Sequence, residues 1–156
     1  MKKILVIPLL GAVLLWGTSC ASGKKQPEKK AAVKLLEFSE ASEKSGFAAA
    51  ERFADGFAAA VKSGNFAEWQ QVMPPHVRSR VNSASFTEMR RELQEIFGNM
   101  SGFRFLGTLR KGDLRDHLWV ISFDKNGKSH EVIYLVRVYC AENGSPEISG
   151  FGVRRF

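Results

Sequence analysis

Between positions 45 and 63 the apolar residues Phe47, Ala50, Phe53, Ala54, Phe57, Ala58 and Val61 recur every three or four places, which lays a single stripe along a helix. Gly64 stands where a left-handed C-terminal cap is wanted, and Asn65 is suited to cap the helix that follows. That second helix, predicted over 66–73, puts Phe66, Trp69 and either Val72 or Met73 on a common face before Pro74-Pro75 stops it. Residues 76–81 predict a short helical turn at most. A third helix is expected to open at Ser85, with Glu88 completing a capping box. Its stripe is Phe86, Met89, Leu93, Ile96 and Phe97, and Gly98 ends it. Upstream, 31–44 has weaker helical character, with Val33, Leu36 and Leu35 toward one side, and fits either a tether helix or the first turns of the domain.

After Gly98 the apolar period drops from about 3.6 to 2, which predicts strands over 103–111, 118–125, 128–140 and 148–155. The link Asn126-Gly127 is a strong hairpin signal, because both central residues of the tight turn must accept positive φ. A two-residue turn there sets Lys125 opposite Lys128, Phe123 opposite His130, Ile121 opposite Val132 and Trp119 opposite Tyr134. These side chains share one face, continued by Val136, Val138 and Cys140, that helices must cover. Trp119, Ile121, Phe123, His130, Val132 and Tyr134 are therefore the residues expected to line any interior pocket. The opposite face is polar near the turn, but Leu118, Val120, Ile133 and Leu135 form an aliphatic patch on it. A patch of that size asks for a partner. It is expected to form a homodimer interface, unless the segment around Leu35, Leu36 and Phe38 folds over it.

The first twenty residues follow a different rule. Lys2 and Lys3 precede thirteen apolar-rich residues, 4–16, and then the small residues Gly17-Thr18-Ser19. That is the order of a secretory leader, and the apolar stretch is too short for a comfortable membrane span. Gly17-Thr18-Ser19-Cys20 resembles the bacterial lipobox, with Gly at the position where Leu is commoner. The resemblance implies a signal peptide over 1–19 and a diacylglyceryl group on the Cys20 thiol. Ala21 stands where the inner-membrane retention signal of such proteins has Asp, which points to the periplasmic face of the outer membrane. Residues 21–32 lack apolar periodicity and read as a flexible tether, so the expected layout is 1–19 leader, 20–44 lipidated Cys and tether, 45–156 folded domain.

The formal charge of +7 changes this picture little. Lys2, Lys3, Lys24, Lys25, Lys29, Lys30 and Lys34 crowd the amino-terminal segment, where a basic run beside an anchor is drawn to anionic lipid head groups. The remaining charges are mixed in sign, so no nucleic-acid partner is expected. With two cysteines 120 positions apart, one of them Cys20, Cys140 has no intramolecular disulfide partner and reads as a small buried side chain on a strand.

Several features together resemble the cone-shaped domains of the nuclear transport factor 2-like (NTF2-like) superfamily. They are the Ala/Phe-rich first helix, the Ser63-Gly64-Asn65-Phe66 break, the Val72-Met73-Pro74-Pro75 step, the capped third helix and the long C-terminal hairpin. The resemblance covers roughly 45–156. It implies an α+β fold in which three amino-terminal helices pack on a curved, mostly antiparallel sheet; a cystatin-like α+β layer is the rival. It carries no catalytic signature, and fold alone does not assign function.

Enzymes of that superfamily hold an acid or base inside the cone with donors for an oxyanion, as proton abstraction beside a carbonyl requires. The inward candidates are His130, Tyr134 and Cys140, with no Asp or Glu beside them. Asp113, Asp116 and His117 read as a connecting loop, and His76 is placed near the mouth. The scattered His and Cys residues have no metal-ligand spacing, and no phosphate loop or nucleophile elbow is present. No cofactor, metal or catalytic residue is expected. The expectation is a non-catalytic domain that binds a small apolar ligand or an envelope protein; the alternative is an isomerase- or lyase-like enzyme using His130 with Tyr134.

Overall fold

A computed structural model of the chain describes residues 38–141 and 143–155; the leader, Cys20 and the tether lie outside them. The elements run α1 Glu40–Ser63, α2 Phe66–Val72, α3 Pro75–Arg78, α4 Ser83–Phe97, β1 Asn99–Lys111, β2 Leu114–Lys125, β3 Lys128–Cys140 and β4 Pro146–Arg155. The strands form an antiparallel sheet in the order β1-β2-β3-β4. This is the expected α+β architecture of helices followed by an antiparallel sheet, with the predicted helical turn realised as α3.

The helix boundaries show which local signals win. α1 starts five residues before the expected 45, because the Ser39 hydroxyl accepts from the Ser42 N–H and caps it. Phe38 and Ser42 thereby join the folded domain. Gly64 caps its end at φ 80°. After Trp69 of α2 the next core residue is the C-cap Met73, 3% exposed, while Val72 faces out. The N-cap of α4 is Asn82 rather than Ser85. Asn82 Oδ1 accepts from the Ser85 N–H, and Ser85 Oγ accepts from the Asn82 N–H, so Ser85 is the third residue of the box and not its first. Gly98 ends α4 at φ 94°, and a Cβ there would lie 1.9 Å from the Asp124 carbonyl oxygen. Only glycine lets the chain turn so close to β2.

The β2–β3 hairpin has the register read from the sequence. Asn126 and Gly127 take φ 55° and 73°, and Lys125, Phe123, Ile121 and Trp119 pair with Lys128, His130, Val132 and Tyr134. The inner face carries Trp119, Ile121, Phe123, Val132, Tyr134, Val136 and Val138, all at most 2% exposed. With Phe53, Phe57, Trp69, Phe86 and Leu93 from the helices they form one continuous core. β1 and β2 are both longer than expected, since β1 begins at Asn99, β2 begins at Leu114, and Gly112-Asp113 make a tight turn between them. Asp116 and His117, expected in a loop, are strand residues on opposite faces of β2.

Candidate functional site

The placement of Asp116 and His117 on strand β2 creates the most distinctive chemistry in the domain. Asp116 points to the outer face, where Arg137 directly opposite donates to both carboxylate oxygens at 2.6 and 2.7 Å. These bonds hold the Asp116 carboxyl below the usual carboxylate range. His117 points inward and is 4% exposed. Its Nδ1 lies 2.8 Å from Thr108 Oγ1 on β1, and its ring meets the edge of Phe47 at 5.4 Å and lies 6.3 Å from Trp119. Burial among these rings lowers the His117 pKa, opposed by the charges of Asp116 and Glu43 and assisted by that of Arg115.

Among the described residues, three buried side-chain polar atoms have no hydrogen-bond partner: His117 Nε2, Tyr134 Oη and Trp69 Nε1. Tyr134 is fully buried, with its ring flat against Phe57 at 4.2 Å, and burial raises its pKa well above the ordinary tyrosine value. The Trp69 ring meets Phe53, Phe57, Phe86 and Phe151 at centroid distances of 4.9–5.9 Å. Each orphaned group costs about 1–3 kcal/mol. The interior is thus aromatic and tightly filled, with three unspent hydrogen-bonding positions.

The other candidates scatter. His130 is half-buried at the far end of the same face, 6.2 Å from the Phe97 ring. His76 lies at the surface and donates from Nε2 to the Ile148 carbonyl at 2.6 Å. It borders a surface groove of about 670 Å³ lined by Arg52, Val72, Met73, Pro74, Pro146 and Glu147, among others. None of the residues expected to line a pocket, Trp119, Ile121, Phe123, His130, Val132 and Tyr134, borders that groove. Cys140 is buried. On the outer face Val120 is 1% exposed, while Leu118, Ile133 and Leu135 are half-buried. Glu43 of α1 accepts from Arg110 and Arg115, and Arg115 also stacks over Phe38 at 4.5 Å. Among the described residues no three His, Cys, Asp or Glu side chains come together to hold a metal ion.

The register of the first hairpin was the missing signal for His117. With Gly112-Asp113 placed as a turn, alternation along β2 puts His117 on the face of Trp119 and Ile121.

The lowered His117 pKa has a consequence for stability. The unfolded chain binds this proton more readily than the folded one. The contribution of neutral His117 is therefore complete above the ordinary histidine value, about 6.5, and is lost as pH falls through the lower folded value. The melting temperature is expected to drop as pH falls below about 6.5, and His117→Gln should flatten that part of the curve. An identical slope in the variant would show that another group is responsible.

No protein-family model and no curated protein matches the chain. Solved structures with some likeness include the protein described as "Rd1NTF2_04 with long sheet", 18% identical, with 65% of this chain and 96% of that chain covered and a TM-score of 0.43. RPA3114 of Rhodopseudomonas palustris, a SEC-C motif containing protein, is 18% identical over 60% of this chain and 70% of its own, with a TM-score of 0.37. Bd1075 of Bdellovibrio bacteriovorus is 9% identical over 68% of this chain and 39% of its own, with a TM-score of 0.39. With identities of at most 18% and TM-scores of at most 0.43, these likenesses transfer no function to this chain.

Proposed function

We propose that this chain is a bacterial envelope lipoprotein, held by lipid on Cys20 at the periplasmic face of the outer membrane, whose domain is a non-catalytic module that binds a protein partner. The binding-module part rests on one observation, the filling of the space between helices and sheet. Phe53, Phe57, Trp69, Trp119, Ile121, Phe123, Val132 and Tyr134 are all at most 2% exposed, so a small apolar ligand would have to displace packed rings. Large apolar side chains exposed on the domain include Phe105, Leu106 and Leu109, all of the terminal strand β1, and an apolar edge strand is a place where another chain can add. Glu43, the carboxylate that α1 brings toward this end of the sheet, is already engaged by Arg110 and Arg115.

Self-association through the outer face belongs to the same reading. Val120 pairs with Ile133 and Leu118 with Leu135, which gathers the aliphatic patch in one place. Light scattering should give twice the chain mass, and Leu135→Lys should halve it. A wild-type monomer would remove this part.

A second reading has one observation in its favour, the buried and unpartnered Nε2 of His117. There the acid–base group of an isomerase- or lyase-like site would be His117 rather than His130. Native mass spectrometry of the full chain, released from membranes in mild detergent, separates the two. The module reading expects the chain with its lipid and no stoichiometric small molecule. A small molecule bound one to one would overturn it in favour of the second reading.

A further inference from the structure

We propose that β1 is a docking edge that takes an extended acidic segment of a partner protein, bearing aromatic side chains, as a fifth strand; the proposal rests on the binding-module reading. β1 is a terminal strand of the sheet, bonded among the described residues only to β2, so one of its sides offers backbone N–H and C=O groups that no described strand pairs. Phe105, Leu106 and Leu109 are 43%, 47% and 58% exposed, and they account for three of the four large apolar residues left exposed in the described part of the chain. Bulges and cations guard such an edge against adding a strand of like charge, and β1 carries both, but no bulge falls within 107–111.

Two further features of β1 narrow the partner. Its pairing with β2 is irregular at Met100/Gly102 and Phe105/Gly107 but unbroken from Gly107 to Lys111, and that stretch is a ready template. Gly107 sits within it, yet its φ is not positive, and a Cβ there would meet nothing within 4 Å. Glycine weakens a strand, and none of the described residues requires it at this position. A large side chain from an added strand would lie over that space, as aromatic residues do over edge glycines.

Charge selects the occupant. From 99 to 111 the strand carries Arg104, Arg110 and Lys111 and no acidic residue. Glu131 and Glu43, which meet Arg104 and Arg110, stand on β3 and α1, and the two guanidinium side chains remain 58% and 71% exposed. A second copy paired edge to edge would align six cations with no acid between them, whereas an acidic strand neutralises them.

The probe is an acetylated ten-residue peptide alternating Glu and Tyr, titrated into the full chain in mild detergent and followed by amide hydrogen exchange and fluorescence anisotropy. Protection should rise across 107–111. Binding should weaken at least tenfold in Leu106→Glu/Leu109→Glu and in Gly107→Val, with melting temperatures unchanged. A Lys–Tyr peptide should not bind. Absence of protection, or equal binding by all variants, overturns the proposal. So does protection of 107–111 in the peptide-free protein that the double Glu variant abolishes, because a second copy then occupies the edge. A small molecule bound one to one in the same preparation removes the binding-module reading itself, whereas peptide failure with an empty interior removes the docking edge alone.

Discussion

Ile121→Asp and Val132→Asp are each expected to unfold the domain, seen as loss of a cooperative melt and of the helical circular dichroism signal. The two side chains face each other across β2 and β3 and are both 0% exposed. The core around them is largely apolar and aromatic and holds no cation to pair with a carboxylate, and both positions are closed to water. Leaving it unpaired costs several kcal/mol, against a total stability of about 5–15 kcal/mol for a typical domain. One residue along, Ser122 and Glu131 occupy the outer face, where the Ser122 hydroxyl donates to Glu131 at 3.4 Å. Glu131→Ser should be mild. Ser122→Asp sets two carboxylates opposite each other and should cost only about 0.2–1 kcal/mol. A folded Ile121→Asp with a melting temperature close to wild type would mean that the inner face is not the core.

That hairpin was legible because its information is local. Asn126-Gly127 admits one tight turn, the turn sets the register, and alternation assigns each side chain to a face. The helical stripes were legible for the same reason, down to Phe53, Phe57, Phe86 and Leu93. What escaped depended on partners far along the chain or on competing local signals. Asn82 and Ser85 both start plausible capping patterns, and the pairing of Ser85 with Asn82 decides for the earlier one. Ser39, rather than a residue near 45, closes the first turn of α1. Asp116 and His117 look like turn chemistry until Arg137, 21 residues later, and Thr108, nine residues earlier, are known to lie opposite them. The choice of Met73 over Val72 for the core came from packing, which the spacing alone left open. Trp119 and Tyr134 were placed on the inner face correctly, but how fully the helix aromatics would fill the space above them is a tertiary property with no sequence period.

The attachment of the domain to a membrane is tested most directly at Cys20. The proposed attachment rests on the lipobox-like Gly17-Thr18-Ser19-Cys20 and the lysines after it. A single acyl chain gives only marginal, reversible binding, whereas several chains with a basic stretch hold a protein stably. The expected change is therefore large. Wild-type protein should sediment with membranes after detergent-free lysis, and its intact mass should equal the chain from Cys20 onward plus the acyl groups. Cys20→Ala should appear in the soluble fraction, or keep its leader uncut. Wild-type protein found soluble, or with the mass of an unmodified chain, would contradict the account.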